Sequence, residues 1–574
     1  MAPPKRIVAL LAIAALPLSA CASIPEHSDP KVIKPAEEGN SSPSVPNPPS
    51  DVDSFGLVRS FIGSAAAPAS EHEAARRHLT EAAKKAWKPS RGMLIVDEVD
   101  TIPVPKTPET PPNIQVVGVQ ADKVGRLLPD QSFVPESGAY ATEVRLERQD
   151  DGQWRISDPP SQLVASRGSF DTNYMPVPIY FLDHDRKGVV PDLRYVVSQP
   201  ESTLPRRVID LLVMGPSTGF RTAMGTALPE GAYPKTNTSE AADGALVVNL
   251  SELGDLGEES RRLLAAQVVL SLQSVSNARV RLQEEGVPLL PDEEELQPRD
   301  VASYRANENA NPNLPGLVVA NERLVTLDQQ ATRVPGPVGS GEWNVLRAAQ
   351  SVDGEELAAV VREPSGGVRL RIGPYGKWLP PTSVSGADMT QPTWRDHSEV
   401  WTAVNGHEVV RLVKGADDWV PQKVDAREFA GGGTISALRL SGDGTRVAGV
   451  VDGRIVVAGV AHEAGGVVLR DPTVLERDST ATEVTQVDWL SNSSLVAATN
   501  SNTSPVVEVS VDGYEWTSYA STNLRQPITA LTVAPDGRVV VADQSGVWEA
   551  DGQHDLWGLL QVPVGGGSIP FFPG

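Results

Sequence analysis

The sequence predicts a multidomain fold in which two α+β domains precede an all-β propeller of about six blades. With 574 residues the chain is long enough for about three or four domains. Helical periodicity mixed with short strands marks the first half, whereas a strand-rich pattern repeats along the second half. We predict an N-terminal α+β domain over residues 51–165, a second α+β domain over 166–305 and a propeller over 306–560.

The charge balance excludes one class of partner. The chain has 73 acidic and 50 basic side chains, a formal net charge of −23. A nucleic acid is repelled by such a surface unless basic residues are segregated, and no Lys/Arg-rich run occurs. We therefore predict no nucleic-acid partner.

The N-terminus has the three-part layout of a secretory signal. Lys5 and Arg6 precede the apolar stretch 7–18, which is too short to span a bilayer. Small residues then lead directly to Cys21, the only cysteine of the chain. One cysteine excludes internal disulfides and paired-cysteine metal sites, so its meaning depends on this position. We predict a signal peptide over residues 1–20.

The segment Leu18-Ser19-Ala20-Cys21 resembles the bacterial lipobox. The resemblance implies an N-acyl, S-diacylglycerol cysteine at Cys21, with membrane lipid as its partner. The protein would then be lipid-anchored on the extracytoplasmic face of the cell membrane. An ordinary signal peptide with a chance cysteine is the alternative. Residues 21–50 contain a Pro/Ser-rich run and are predicted to be a flexible tether.

Helical spacing opens the N-terminal domain, through Phe55, Val58, Phe61 and Ile62. A capping box at Ser70 and Glu73 predicts a second helix, which Pro89 ends. The apolar face of this second helix comprises Ala75, Leu79, Ala82 and Ala86. Short strands are predicted at 94–96, 114–119, 141–146 and 154–156. His72 and His78 lie on the helix pair, and we interpret them as solvated or half-buried.

The second domain alternates strands and amphipathic helices. Strands are predicted at 177–182, 193–197, 245–250 and 279–282. A helical stripe, Leu204, Val208, Leu211 and Leu212, ends at Gly215-Pro216. A second stripe is formed by Leu264, Val268, Leu272 and Val275. This pattern predicts an α+β domain.

Several segments of this domain together resemble a GerMN domain. They are Ile179-Tyr180-Phe181-Leu182, Val190-Pro191-Asp192-Leu193-Arg194, Leu211-Leu212-Val213-Met214-Gly215-Pro216, Leu228-Pro229-Glu230-Gly231 and Val247-Val248-Asn249-Leu250. With the lipobox, Phe61, the Trp87-Lys88-Pro89 region and the downstream repeat, nearly the whole chain resembles the LpqB lipoproteins. The GerMN pattern consists mainly of core and turn residues, so it implies a fold rather than an activity.

The LpqB resemblance also implies a function. Members are regarded as binding or scaffolding proteins without a known catalytic centre. The resemblance implies contact with the extracytoplasmic sensor region of the MtrB kinase. It thereby implies modulation of the MtrAB two-component system in cell envelope and division homeostasis.

The propeller prediction rests on an internal repeat of turns at Asp353, Asp396, Asp443, Asn492 and Asp536. Their separations of 43, 47, 49 and 44 residues match the roughly 40–50 residues of a four-stranded blade. Asp-Gly supplies the positive φ angles of tight hairpins, so these motifs are turns first. Nine of the eleven tryptophans lie between Trp343 and Trp557, which favours sheet-on-sheet packing. Residues 561–574 are predicted to be an exposed tail.

No motif in the sequence carries chemistry. The eight histidines form no HxH, HExxH or i,i+4 pair, and neither a GxxxxGK[ST] phosphate-binding motif nor a GxGxxG dinucleotide motif occurs. Asp183-His184-Asp185 is interpreted as a solvated turn, and Asp292-Glu293-Glu294-Glu295 as a solvated linker before the propeller. We predict no catalytic residue, no metal site, no cofactor and no enzymatic activity.

Three functions remain open at this point. The first is a regulatory binding module with MtrB as partner, as the LpqB resemblance implies. The second is an envelope protein that binds peptidoglycan or another glycan, for which exposed aromatics such as Trp401 or Trp419 would need to line a groove. The third is a hydrolase in the propeller channel, which a buried pair of carboxylates with raised pKa values would support.

Overall fold

The computed structural model describes residue 48 and the ranges 52–89, 92–305, 313–476 and 482–574, all within the compact unit Asn47–Gly574. We call residues 52–173 the N-terminal domain, 174–305 the middle domain and 313–574 the propeller. The first two regions combine helices with sheets, and the third consists of successive antiparallel sheets. The predicted fold class is confirmed.

The N-terminal domain packs short helices on one face of a sheet. Its helices are α1 (Ser54–Ser64), α2 (Ala69–Arg76), α3 (Glu81–Ala86) and α4 (Arg167–Asn173). Its strands are β1 (Met93–Pro103), β2 (Ile114–Leu127), β3 (Phe133–Pro135), β4 (Ala139–Arg148), β5 (Trp154–Asp158) and β6 (Leu163–Ser166). The sheet order is β5-β4-β2-β1-β6, with β3 paired to β2. The predicted stripe at Val58, Phe61 and Ile62 faces the core, and the Asp53 carboxylate caps α1.

The prediction of a single helix after Ser70 is wrong, because this region forms two helices. Helix α2 begins after Pro68 without a side-chain cap, and α3 is a separate helix. Between them Leu79 forms a bridge with Ile156 of β5, and the Thr80 N–H donates to the Ile156 carbonyl at 2.9 Å. The chain leaves the helix because this tertiary pairing replaces the helical hydrogen bonds.

The middle domain contains two small sheets around helix α6. Its strands are β7 (Tyr174–Leu182), β8 (Val189–Val197), β9 (Tyr233–Pro234), β10 (Ser239–Glu240), β11 (Leu246–Ser251), β12 (Val280–Glu284) and β13 (Val287–Pro288). Its helices are α5 (Leu204–Met214) and α6 (Glu258–Gln273), with 3₁₀ turns at Glu201–Thr203 and Pro298–Tyr304. β7 and β8 form a hairpin, whereas α6 connects the parallel pair β11 and β12. The first predicted stripe is confirmed on α5, and Leu264, Val268 and Leu272 of the second are buried on α6, whereas Val275 lies beyond the end of that helix and is half-buried.

The acidic run at 292–295 belongs to the middle domain, so its interpretation as a solvated linker is wrong. Glu293 pairs with Arg262 of α6 at 3.0 Å, and Glu295 pairs with Arg279 and Arg281 at 2.5 Å. Leu296, directly after the run, is buried and bridges to Val280. Glu293 and Glu295 are therefore paired with arginines that folding brings beside them, whereas Asp292 and Glu294 are exposed.

The propeller consists of six sheets in the described residues. The first sheet contains β14 (Leu317–Ala320) and β15 (Arg323–Thr326), which are followed by α7 (Pro337–Ser340). The second sheet is β16 (Val345–Gln350), β17 (Glu356–Arg362), β18 (Val368–Pro374) and β19 (Pro381–Gly386). The third is β20 (Thr393–Trp394), β21 (Glu399–Val404), β22 (Glu408–Lys414) and β23 (Trp419–Val424), followed by α8 (Arg427–Ala430).

Three further sheets complete this region. The fourth sheet is β24 (Ile435–Leu440), β25 (Arg446–Val451), β26 (Arg454–Glu463) and β27 (Gly466–Leu475). The fifth is β28 (Val484–Ser491), β29 (Ser494–Thr499), β30 (Val506–Ser510) and β31 (Trp516–Ser518). The sixth is β32 (Ala530–Val533), β33 (Val539–Ala542), β34 (Val547–Ala550) and β35 (Gly558–Leu559). The predicted tight turns are present, because Gly354, Gly444 and Gly537 all adopt positive φ.

The last strand closes the ring of sheets. β36 (Ile569–Phe571) pairs with β14 and contacts β32, so the first and last parts of the propeller share one sheet. Phe571 is only 2% exposed. The prediction of an exposed tail over 561–574 is therefore wrong at its end, because the apolar segment Ile569–Phe571 supplies the strand that the first sheet lacks.

Candidate interaction sites

The predicted lipidation site lies outside the residues that the structure describes. This holds for Cys21 and for the lipobox residues Leu18, Ser19 and Ala20, so the modification stays a prediction. Among the described ranges, no helix is both long enough and apolar enough to cross a membrane.

A cavity of about 110 Å³ lies among the inner strands of the propeller. Its polar lining includes Gln391, Arg439 and Asp488. Arg439 donates through Nη2 to Gln391 Oε1 at 2.7 Å, and its Nε lies 3.7 Å from Asp488 Oδ1. Burial lowers the pKa of Arg439, and burial raises the pKa of Asp488, with each charge opposing the shift of the other.

This cavity does not supply the carboxylate pair that a glycosidase uses. Among the described residues that line it, Asp488 is the single one with a carboxylate side chain. A glycosidase needs two carboxyl groups on either side of the scissile bond. The lining therefore lacks the feature that would favour a channel hydrolase.

The two N-terminal histidines have structural partners. His78 is 1% exposed, with Nε2 2.8 Å from Ser60 Oγ and Nδ1 3.0 Å from the Ala74 carbonyl. Its interpretation as solvated or half-buried is wrong, because the helix pair encloses it. His72 is half-buried and contacts the Ala65 carbonyl. Burial lowers the pKa of both imidazoles.

The predicted turn at 183–185 is present at the tip of the β7–β8 hairpin, with His184 and Asp185 exposed, and this tip also contacts the propeller. The His184 ring stacks on His462 of β26, with ring centroids 3.7 Å apart and planes 10° apart. Asp185 pairs with Arg395 at 2.5 Å. Although burial opposes it, the Arg395 guanidinium holds the pKa of Asp185 below its usual value. We call His184, Asp185, Arg395 and His462 the hairpin contact.

A buried ion pair on β8 of the middle domain is hydrogen-bonded to the N-terminal domain. Arg194 and Asp192 are at most 1% exposed, and Arg194 Nη2 donates to Asp192 Oδ2 at 2.7 Å. Arg194 Nη1 also donates to the Asp130 carbonyl at 2.5 Å. Asp130 Oδ2 accepts bonds from the backbone and hydroxyl of Thr218 at 2.9 and 2.8 Å. The charges are thus paired and hydrogen-bonded, as buried charges require.

An aromatic cluster joins all three regions. Tyr514 of the propeller packs on Phe133 and Phe170 of the N-terminal domain and on Tyr195 of the middle domain, with ring centroids 4.9–5.3 Å apart. All four rings are at most 4% exposed. The Tyr514 hydroxyl donates to Asp171. We call the four rings the aromatic junction.

Phe220 carries a third contact from the middle domain to the propeller. The Arg446 guanidinium lies 5.5 Å from the centroid of the Phe220 ring and pairs with Asp443 at 3.0 Å. Nearby, a Cβ on Gly459 would come within 2.9 Å of the Ala223 methyl, so this close approach requires glycine.

Neither a metal cluster nor an aromatic groove is formed by the predicted candidates. Within the described ranges, no group of three or more His, Cys, Asp or Glu side chains could hold a metal ion. Trp401 and Trp419 are 1% and 9% exposed and belong to the propeller core. They therefore do not offer a surface to a glycan.

The fold and these contacts define a multidomain protein in which an α+β region is joined to a β-propeller. Protein-family models match three segments: "Lipoprotein LpqB, N-terminal domain" over 47–171, "Sporulation and spore germination" over 178–290, and "Lipoprotein LpqB beta-propeller domain" over 322–573. The chain belongs to the lipoprotein LpqB family.

Full-length relatives and a solved structure were also found. Lipoprotein LpqB of Rhodococcus jostii is 30% identical, over 97% of this chain and 96% of the relative. Lipoprotein LpqB of Mycolicibacterium smegmatis is 30% identical, over 99% of this chain and 100% of the relative. The Cps50 (Swd1) β-propeller domain of Myceliophteria thermophila matches with a TM-score of 0.29 at 10% identity, over 42% of this chain and 85% of that chain.

Proposed function

We propose that this chain is a lipid-anchored protein of the extracytoplasmic membrane face that acts as a non-catalytic regulatory binding module. Its partner is the sensor region of the MtrB kinase, through which it modulates the MtrAB system. Family membership over the whole chain supports this proposal, together with a lipobox at Leu18-Ser19-Ala20-Cys21.

The anchor has a clear physical basis. Each buried CH₂ of an acyl chain contributes about 0.8 kcal/mol, and one chain alone binds only marginally. A diacylglycerol thioether plus an N-acyl group at Cys21 places several chains on one residue, which suffices for stable attachment.

The observation that carries the binding role is the aromatic junction. Tyr514, Phe133 and Tyr195 come from three regions and are buried together, which fixes the propeller relative to the other two domains. A preorganised surface loses little conformational freedom when a partner binds, so more of the contact energy appears as affinity. A rigid three-domain body therefore suits a module that presents a surface to a kinase sensor.

Direct binding tests the partner. The chain from Ala22 onward is titrated with the isolated sensor region by calorimetry, with both proteins shown folded by circular dichroism. We expect saturable binding at micromolar or lower concentrations. Absence of heat and of co-elution in gel filtration would contradict a direct partner.

Deleting the propeller is a poor way to map the site, because it would expose Phe133, Phe170 and Tyr195. Charge reversals on exposed positions keep the junction intact. The propeller is tested by Lys423→Glu on β23, where the side chain is 83% exposed. The middle domain is tested by Arg206→Glu on α5, where the side chain is 55% exposed. If a variant lies on the surface that contacts the partner, its affinity for the sensor region should decrease while its free energy of unfolding stays unchanged.

Lipidation is tested separately in cells. Cys21→Ala removes the sulfur that accepts diacylglycerol, so we expect loss of fatty-acid label and an uncleaved or soluble, unacylated form. Cys21→Ala protein that stays membrane-bound without label would contradict the assigned anchor. Ala22→Ser is the matched control, because it leaves the cysteine in place.

A further inference from the structure

Trp378 is the one exposed tryptophan of the chain. The structure describes all eleven, and ten are buried or half-buried, whereas Trp378 is 55% exposed. It lies between β18 and β19, on the second sheet of the propeller. A single exposed apolar residue needs no explanation by itself, so its surroundings decide what it means.

The connection that carries Trp378 is held rigidly. Its ring packs edge-on against buried Trp343, with centroids 4.8 Å apart. The Tyr375 N–H donates to the Glu355 carbonyl at 2.7 Å. Gly336 packs so closely that a Cβ there would lie 3.0 Å from the Lys377 carbonyl oxygen. The exposed indole is therefore fixed before any ligand arrives.

A charged group with spare hydrogen-bonding capacity lies beside the indole. The Arg371 guanidinium is 4.4 Å from the Trp343 centroid and 5.9 Å from that of Trp378. Its buried Nε has no hydrogen-bond partner. Its nearest carboxylate, Glu363, is 3.9 Å from Nη2, which is beyond hydrogen-bond distance. Nη1 already donates to the Leu379 carbonyl at 3.3 Å and Nε is buried, so Nη2 is the donor that Arg371 can offer beside the flat apolar surface.

We propose that Trp378 and Arg371 form a binding site for a saccharide whose pyranose hydroxyls are equatorial. Such a ring has an apolar face of axial C–H groups and a rim of hydroxyl oxygens. The apolar face stacks on the exposed indole, and rim oxygens accept hydrogen bonds from the guanidinium. Tryptophan suits this place because its body is apolar while its edge tolerates water.

The site is independent of the kinase proposal, since it uses a different surface chemistry and no partner protein. It is a different location from Trp401 and Trp419, which are buried. A ring with an axial hydroxyl interrupts the flat C–H face. The geometry therefore predicts discrimination between sugars of the same size.

Calorimetry with defined probes tests the site on the chain from Ala22 onward. The probes are a β-1,4-linked N-acetylglucosamine tetramer and a mannose tetramer, whose 2-hydroxyls are axial. We expect saturable binding of the first and affinity at least about tenfold weaker for the second. Trp378→Ala should weaken binding at least about tenfold, and Trp378→Phe should retain part of it.

A matched variant and a second arm complete the test. Leu556→Ala removes an apolar side chain that is 67% exposed in the connection between β34 and β35, and it should leave binding unchanged. The chain is also co-sedimented with purified peptidoglycan, and if Trp378→Ala abolishes this co-sedimentation, the bound saccharide belongs to the cell wall. If the chain binds the tetramer but not peptidoglycan, the ligand is a soluble oligosaccharide. Equal affinity of folded Trp378→Ala, or a folded parent chain that binds neither probe, overturns the proposal.

Discussion

The aromatic junction and the hairpin contact both attach the propeller to the preceding domains, but by different physics. The junction is apolar and closed, with Phe133, Phe170, Tyr195 and Tyr514 at most 4% exposed. The hairpin contact relies on a stacked histidine pair and an ion pair whose carboxylate is 38% exposed. Burial of apolar rings is insensitive to salt and pH, whereas partly exposed charges are sensitive to both.

The aromatic junction therefore fixes the domain arrangement, whereas the strength of the hairpin contact can change with salt and pH. The junction, with the ion pair of Asp192 and Arg194 beside it, should dominate the stability of the three-domain body. The hairpin contact should contribute less, and its contribution should depend on conditions.

The largest effect is expected from Asp192→Ala. The substitution leaves Arg194, which is 0% exposed, without its carboxylate partner, and breaking a buried pair costs about 3–5 kcal/mol. Urea unfolding should show this loss in the free energy of unfolding. Asp210→Ala is the control, because Asp210 and Arg206 form a pair that is more than half exposed and should change stability by less than about 0.5 kcal/mol. Equal effects of the two substitutions would mean that the buried pair is not a main support.

Tyr514→Ala should follow, with a loss of about 3 kcal/mol, because it removes a buried ring from the aromatic junction. Tyr514→Phe should cost only about 1 kcal/mol, since it removes the hydrogen bond to Asp171 and keeps the ring. Thermal unfolding monitored by calorimetry checks both. Tyr233→Ala is the control, because its ring is 49% exposed and its removal should change the free energy of unfolding very little. A Phe variant as unstable as the Ala variant would assign the effect to the hydroxyl rather than to packing.

The elements of the fold could be predicted from local patterns, but the joints between domains could not. The stripe at Val58 and Phe61 and the evenly spaced turns are signals within a few residues, and the structure contains both. Asp185 and Arg395 are 210 positions apart, and Asp171 and Tyr514 are 343 apart. No local pattern connects such residues.

One signal of a joint was present in the sequence. Asp192 and Arg194 are charged residues inside the otherwise apolar strand Val189–Val197, and a charge inside a buried strand requires a partner. That signal marks the ion pair but not Asp130, which comes from another domain. The prediction of an exposed tail failed at Ile569–Phe571 for a similar reason. This strand pairs with β14, which lies at the other end of the propeller sequence.

Acid should weaken the hairpin contact while leaving the aromatic junction unchanged. Burial, and then the charges of His184 and Arg395, lower the pKa of His462 to about 4, against 6.5 for an ordinary histidine. The unfolded chain therefore binds a proton more readily, so the contribution of His462 is complete above about pH 6.5 and is lost as the pH falls toward about 4. Because the ring is only partly buried, we expect a loss of about 1 kcal/mol between about pH 7.5 and about pH 5.

His462→Gln checks this prediction. Glutamine cannot be protonated, so the pH dependence of the free energy of unfolding should decrease by that amount. His554→Gln is the control, because His554 is exposed and should leave the dependence unchanged. A His462→Gln profile that parallels the parent would show that other groups carry the acid sensitivity.

The smallest effect is expected from Asp185→Asn. Partly exposed ion pairs contribute about 0.2–1 kcal/mol, and Arg395 keeps a second carboxylate, Glu399, at 3.5 Å. The loss should shrink further in about 1 M salt, where screening acts within about 3 Å. Unfolding of the parent, Asp185→Asn, Arg395→Gln and the double variant at two salt concentrations measures the coupling between the two side chains. A coupling above about 2 kcal/mol that persists in salt would place the hairpin contact with the aromatic junction, as a fixed joint rather than an adjustable one.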